Sequence, residues 1–490
     1  MTLLRLFSLL VFALLTILLV RTFMFSSTEA ELPEPAHVSV DEEAVVANMS
    51  AAIGYKTIST GNDDTQDYLE FERFIEWVKQ TYPVVQAELQ LEMVADYTML
   101  YTWKGRDESL APILLTAHYD VVPIAPGSEP DWSYDPFAGD VADGYVWGRG
   151  ALDDKSAVVV MLEAVTLLLN QGYVPERTVY FSFGHDEEIG GPRGAAGVTE
   201  LLRSRGVQLA WSLDEGSFVT DGVIPGVDNL VALVNVAEKG SVTYDLIAHG
   251  PGGHSSMPEA EIPIDILANA LVKLRANPLD GGLDGLGGEM IDGIARQGSF
   301  LLRVFAANKW LFGGLLERQL GQSASGNALQ RTTTAPTLLS AGIKTNVITP
   351  TATATVNFRL HPRDTAETVK AHIERVINDP RVEVKLHGDG YATPASGVSS
   401  WTSPAYGLIK KVTKQVFGQA VVVPSLTMGG TDSKHYSQIA DDSYRYQFMV
   451  VNAEDISGFH GTNERVSVEN LINGTKGYYL LLEQAASNGD

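Results

Sequence analysis

The chain has 490 residues, a formal net charge of -25 and no cysteine. Its length exceeds what one compact core usually holds, so two domains plus a terminal segment are expected. The acidic balance leaves no surplus of Lys or Arg for phosphates and argues against nucleic acid as a partner. The absence of Cys excludes thiolate catalysis, thiolate metal sites and disulfides.

In chain order, residues 1–25 form an N-terminal membrane anchor or signal segment. Leu6 to Val20 is apolar except for Ser8 and Thr16, with Arg5 before it and Arg21 after it. The run is short for a span of ~20 residues, but Arg21 can snorkel and Phe23, Met24 and Phe25 lengthen it. We read it as an uncleaved anchor. A removed signal peptide is the alternative, with Thr28-Glu29-Ala30 as its one tolerable cleavage site. Either way the remaining chain is expected outside the cytoplasm, in a periplasm or lumen, or secreted. Residues 26–45, with Pro33, Pro35 and several acids, read as a linker.

Residues 46–238 alternate between helical and strand patterns. Helical periodicity runs from Tyr68 to Thr81 and stops at Pro83. Short apolar runs at Ile113–Ala117, Val179–Phe183, Leu209–Leu213 and Leu230–Val236 read as buried strands, and Ala157–Leu169 as a helix packed on them. The alternation predicts an α/β domain: a mainly parallel sheet with helices on both faces. Residues 239–392 read as an inserted, smaller α+β domain of ferredoxin-like type, a lid. Its strands are expected at Val242–Ala248, Ala352–Leu360 and Val382–Leu386, and its helices at Ile264–Leu274 and Thr368–Ile377. Within it, residues 277–339 form a long insertion with an apolar helical stripe (Leu301, Val304, Phe305, Phe312, Leu315, Leu316). That stripe is expected to pack on the inserted domain's own sheet or to border the site as an apolar wall. The α/β pattern returns over residues 393–490, up to a final helix at Leu471–Ala486.

Chemistry concentrates where the strands end. His118 and Asp120 follow the first strand, and a period of two puts both side chains on one face. Asp153 and Asp154 precede the buried helix; Asp186, Glu187 and Glu188 follow the second strand; Asp214 and Glu215 follow the third. Open parallel sheets place ligand sites at these ends. Carboxylates crowded together raise each other's pKa, and divalent cations remove that cost. Mixed His and carboxylate donors suit zinc, whereas calcium and magnesium prefer oxygen.

The segments Thr116-Ala-His118-Tyr-Asp120-Val-Val-Pro123, Gly148-Arg-Gly-Ala-Leu-Asp153-Asp154-Lys155 and Gly184-His-Asp-Glu187-Glu188 resemble the zinc metallopeptidase family of aminoacylase-1, carboxypeptidase G and acetylornithine deacetylase. The likeness continues through Gly252-Gly-His254-Ser-Ser, Thr431-Asp432-Ser-Lys-His435 and His460-Gly461. It is strongest toward the branch of vacuolar carboxypeptidase S and the secreted N-fatty-acyl-amino-acid synthase/hydrolase. The resemblance implies two zinc ions per chain, bridged by Asp153, with His118 and Asp214 completing one site and Glu188 and His460 the other. It implies Asp120 as the group that orients His118, and Glu187 as the general base. His254 becomes a lid donor to the oxyanion, and Asn346, Arg359, Gly429 and Gly430 bind the substrate. It assigns no role to His435. Ser156 stands where many members have Gly.

The function implied is cleavage of an amide bond beside a free carboxylate, as a carboxypeptidase or N-acyl-amino-acid amidohydrolase. The implied partners are a small molecule or peptide, a membrane through the N-terminal segment, and a second copy through the lid. An aminopeptidase or dipeptidase with the same metal centre is the alternative, and a catalytically inactive binding protein the alternative of another class.

Overall fold

The computed structural model describes residues 2–25, 32–35, 37–62, 64–224, 226–388, 390 and 392–485. The candidate cleavage site Thr28-Glu29-Ala30 lies outside them. Two compact units emerge: Met1–Val236 with Met290–Ala307 and Ser399–Asp490, and Ala237–Glu289 with Asn308–Val398.

The larger unit is built on a ten-stranded sheet. Its centre is parallel: Val179–Gly184, Ile113–His118, Leu209–Asp214 and Ala440–Arg445 lie side by side. Antiparallel strands extend both margins, among them Thr98–Trp103, which the sequence pattern did not disclose. Helices cover both faces. Ala195, Val198 and Leu202 of one helix pack on Leu100, Leu114 and Leu209, while the almost wholly apolar helix Lys155–Asn170 packs on the strand Ile113–His118 and against the final helix Val468–Ala485. Register decides the site, since His118 is paired with Gly184 and Leu115 with Leu213. The three strands therefore end together, and the residues that follow share one rim.

The linker is shorter than its composition suggested. Asp41 caps a helix over Glu42–Ile53 by accepting from the Ala44 amide at 3.1 Å, so Asp41, Glu42 and Glu43 are the N-terminal signals of a helix. The N-terminal helix runs from Thr2 to Met24, and its segment Leu3–Met24 is long and apolar enough to cross a membrane.

The smaller unit is a four-stranded antiparallel sheet in the order Thr333–Ala341, Thr351–Leu360, Gly240–His249, Val382–Leu386. Helices Pro263–Ala276 and Ala366–Ile377 fold over one face around a core of Leu246, Ile266, Val356 and Ile373. Alternating burial along Gly240–His249 is what a one-faced sheet requires. Thr333–Ala341, which read as the end of the insertion, is the sheet's exposed edge strand. A register shift between Pro336 and Leu338 breaks its alternation and hides it from a period-two reading.

The remaining insertion is helical: Leu286–Gln297, Phe300–Ala307, Lys309–Leu320 and Ala324–Gln330. The stripe divides: Leu301, Val304 and Phe305 group with the larger unit, and Phe312, Leu315 and Leu316 with the smaller. Residues Met290–Ala307 group with the larger unit, because Met290, Ile294 and Leu302 pack with Val227, Val231, Val421 and Val423. Phe300–Ala307 lies against the N-terminal helix.

Candidate metal centre

The rim gathers two histidines and a crowd of acids. Asp153, on the turn before helix Lys155–Asn170, lies between the imidazoles: His118 Nε2 is 2.9 Å from one carboxylate oxygen and His460 Nε2 3.1 Å from the other. His460 Nε2 is also 3.2 Å from Glu188. The donor atoms of His118, Asp153 and Glu188 all lie within 4.8 Å of one another, as do those of His118, Asp154 and Glu215.

Asp120 does more than orient its neighbour. His118 Nδ1 donates to the Asp120 backbone carbonyl at 3.0 Å, with the carboxylate at 3.4 Å, which leaves Nε2 as the lone-pair nitrogen facing the cluster. The Asp120 carboxylate accepts the amides of Glu187 and Glu188 at 3.2 and 3.1 Å and the Ser59 hydroxyl at 2.7 Å. One buried carboxylate thus fixes both the histidine and the turn that carries the two glutamates.

A second buried group ties the loops at the chain's middle and end. Arg149 pairs with Glu464 and donates to the Gly461 carbonyl at 2.9 Å. Glu464 Oε1 accepts the amides of Leu152 and Asp153 at 2.8 and 3.1 Å. Asp153 and His460 therefore hang from one ion pair, a link the sequence motifs do not disclose.

The strand-end pair Asp214-Glu215 differs from expectation. Glu215 Oε1 is 3.5 Å from His118 Nε2, whereas the Asp214 carboxylate accepts the amide of Glu215 at 2.9 Å. Asp214 still belongs to the strand, whose alternation turns its side chain away from the one that follows.

His435 now has a contact that suggests a purpose. Its Nε2 donates to the Gly190 carbonyl at 2.9 Å. The Gly190 amide in turn donates to the Glu187 carbonyl at 2.6 Å, closing the turn that carries the glutamates. Asp432 presses on the same turn, since a Cβ on Gly191 (φ +64°) would collide with its carboxylate. Gly429 and Gly430 lie exposed beyond the strand Val421–Thr427, with open space beside both.

Electrostatics states what the cluster lacks. Burial, then Glu215, pushes the Glu187 carboxyl well above its ordinary range. Burial, then Asp153, pushes Glu215 up to about 7. Burial alone would lower His118, but Glu215, Asp120 and Asp153 raise it well above its usual value. Hydrogen bonds to Asp153 and Glu188 push His460 up to about 10. Glu188 Oε1 and Asp154 Oδ2 are buried with no hydrogen-bond partner among the described residues. Acids that repel one another, orphaned carboxylate oxygens and imidazole nitrogens turned toward them are what divalent cations satisfy. The residues fit such ions.

In the smaller unit, His254 and Val347 pair in a short two-stranded ladder, and Asn346 accepts the Ser255 amide at 3.3 Å. The Ser256 amide donates to His254 Nδ1 at 3.2 Å, which places the ring proton on the exposed Nε2. Arg359 is exposed on the strand Thr351–Leu360, opposite Ser241.

A profile for peptidase family M20/M25/M40 matches residues 114–484. The chain belongs to this family. It is 40% identical over 467 residues to the N-fatty-acyl-amino acid synthase/hydrolase PM20D1 of Xenopus tropicalis, covering 93% of this chain and 90% of that protein. It is 37% identical over 484 residues to the probable carboxypeptidase S-like 2 of Dictyostelium discoideum, covering 97% and 92%. Among solved structures, the M20 family metallo-carboxypeptidase Sso-CP2 of Sulfolobus solfataricus superposes with a TM-score of 0.62 at 17% identity, covering 90% of this chain and 98% of that one. The fold is thus shared where identity has largely gone. The chain is a hydrolase of the M20 family, in the branch its motifs indicated.

Proposed function

We propose that this M20 hydrolase cleaves the amide bond beside a free carboxylate, in N-acyl amino acids or at the C-terminus of peptides, with two zinc ions. The observation that carries the reading is Asp153, held between His118 and His460 at 2.9 and 3.1 Å. The two relatives, an N-fatty-acyl-amino acid synthase/hydrolase and a probable carboxypeptidase, point to substrates of this kind. His118, Asp153 and Glu215 would hold one ion, and Asp153, Glu188 and His460 the other, with Glu215 taking the place first given to Asp214. Zinc held by these residues would supply the acidity, lowering the pKa of water at the site toward ~7.

The chain's own residues do the rest. Glu187 follows Asp186 on a turn pinned by Asp120 and His435, and its carboxylate stays free of the ligand set. It takes the proton of the attacking water and returns it to the leaving nitrogen. His254, protonated on Nε2, is suited to donate to the oxyanion. Arg359, Asn346 and the exposed amides of Gly429 and Gly430 are suited to the substrate carboxylate. The N-terminal helix would anchor the chain to a membrane with the hydrolase outside the cytoplasm. The exposed edge strand Thr333–Ala341, with Leu338 and Leu339 outward, supports pairing with a second copy. The aminopeptidase reading has no comparable support, and an inactive scaffold would have lost Glu187 or a ligand.

The test is kcat/KM over N-acyl amino acids from acetyl to long chain, and over dipeptides, with elemental analysis. Glu187→Gln should keep two zinc ions and lose at least the ~10²–10⁴ in rate that a general base supplies. Active protein without a transition metal would refute the metal reading. Cleavage of substrates that lack the carboxylate, at equal rates, would refute the substrate reading.

A further inference from the structure

The N-terminal helix is bare over most of its length. Residues 3–17 are all exposed, and shielding is confined to Leu18, Thr22 and Phe25, spaced as one helical stripe. What shields this stripe is the insertion. The Phe23 and Phe300 rings stand 6.2 Å apart, and Arg21 Nε donates to the Ala307 carbonyl at 3.0 Å. The only charge near the end of the apolar stretch is therefore satisfied by the C-terminal end of the helix Phe300–Ala307, where unpaired carbonyls concentrate negative partial charge. Arg296 lies over the Phe25 ring at 5.1 Å.

The insertion helix does not end its apolar surface there. Phe300, at this contact, and Leu301 next to it remain 47% and 64% exposed, beside a helix that is itself exposed and apolar. The segment Leu3–Met24 has 22 residues and rises about 33 Å, against a hydrocarbon core of about 30 Å. The insertion helix packs along its last two turns, the level at which such a span would leave the core. A cation seated over an aromatic ring at that level suits the headgroup zone.

The geometry points to the insertion helix Phe300–Ala307 as a second membrane-contacting element, resting in the outer edge of the bilayer with Phe300 and Leu301 among the lipid chains. The inference rests on the reading of the N-terminal helix as an anchor. The occupant of this surface is lipid, because the exposed face is continuous with a helix that is long and apolar enough to cross a membrane and is exposed along residues 3–17. The chain's net charge of -25 makes apolar contact, and not attraction to anionic headgroups, the source of the hold.

The absence of native cysteine permits a direct test on the full chain. Leu301→Cys, Leu10→Cys and Val141→Cys each receive a nitroxide label, and the protein is reconstituted in phosphatidylcholine vesicles. Collision with oxygen, which partitions into lipid, is compared with collision with water-soluble chromium oxalate. Val141, exposed on a small sheet of the larger unit, is the water-facing reference. Labels at 10 and 301 should both show an oxygen-to-chromium ratio several-fold above that at 141. A lipid-like ratio at 10 with a water-like ratio at 301 overturns the inference and leaves the anchor standing. Low collision with both probes at 301 means that protein covers this face, a second copy included, and also overturns it. A water-like ratio at 10 overturns the anchor and the inference together.

Discussion

Replacing Glu464 by Gln tests whether one buried charge holds both loops of the metal centre. Glu464 is fully buried and Arg149 nearly so, with 2.5 Å between Nη1 and Oε2. Glutamine keeps an acceptor for the amides of Leu152 and Asp153, but its amide group then faces a guanidinium that can only donate. Burial pushes the Glu464 carboxyl up while Arg149 opposes the shift, so the pair's attraction offsets a desolvation cost that the variant leaves in place on the arginine. Breaking a buried pair from one side costs about 3–5 kcal/mol. The lower end applies here, because Gly461 and both amides keep their bonds. One kcal/mol shifts Tm by about 2–4 °C in domains of 150–250 residues and by less in larger ones, so a fall of about 5–10 °C is expected. Because Asp153 and His460 share this pair, the metal concentration for half-maximal activity should rise as well. Calorimetry in excess metal and after chelation separates the two effects. Arg149→Met in the Glu464→Gln background should recover part of the loss, since both buried charges are then gone. A single variant that melts with the wild type and binds metal as tightly would refute the reasoning, as would a double variant worse than the sum of the singles.

The two acids after strand Leu209–Asp214 separate by the same logic. Glu215→Gln should lower metal content, whereas Asp214→Asn should keep the metal and chiefly change stability; equal metal loss in both would refute the assignment. For His435, Leu should lower kcat at unchanged metal content, because the turn carrying Glu187 loses its tie to Gly190. Gln, whose Nε2 can reach the same carbonyl, should restore most of that loss, and a Gln variant as impaired as Leu would show that the hydrogen bond is not the cause.

Much of the fold was legible because it follows from period and punctuation. The strands Ile113–His118, Val179–Gly184 and Leu209–Asp214 are short apolar runs with acids at their ends, and the helix Tyr68–Thr81 stops before Pro83 as the sequence indicates. What escaped depends on tertiary contact. Thr333–Ala341 is an exposed edge strand with a bulge, so neither alternation nor burial marks it. The insertion stripe left two readings open, lid packing or an acyl-chain wall, because periodicity says that a face is apolar, not what covers it; the helices Leu286–Gln297 and Phe300–Ala307 pack on Val227, Val421 and the N-terminal helix, far away in sequence. At the site, the residue types and their turns were visible, while the choice between Asp214 and Glu215 turns on one residue of strand phase. The Arg149–Glu464 tie and the His435–Gly190 bond join segments hundreds of residues apart, which no local pattern encodes.

The site also predicts how the chain without metal should respond to pH. Glu215 carries a folded-state pKa of about 7 against an unfolded value near 4.5. A raised carboxyl contributes stability below its unfolded pKa and loses it as pH rises through the folded value. His118 and His460 are raised as well, His460 to about 10, so their contribution is present below ~6.5 and fades as pH climbs toward those values. Asp153, held low by its histidines, acts in the opposite sense, but its window lies in strong acid. From pH 6 to 9 the chelated chain should therefore lose stability, at about 1.4 kcal/mol per pH unit for each proton by which folded and unfolded states differ. With metal bound the slope should reverse, because cations compete with protons for the same imidazoles and carboxylates and bind better as pH rises. Urea unfolding at pH 6, 7, 8 and 9, with chelator and with excess zinc, reads both slopes. A chelated chain whose stability is flat or rising over that range would mean that the acids at the rim are not crowded in solution, and the electrostatic case for the metal centre would fail with it.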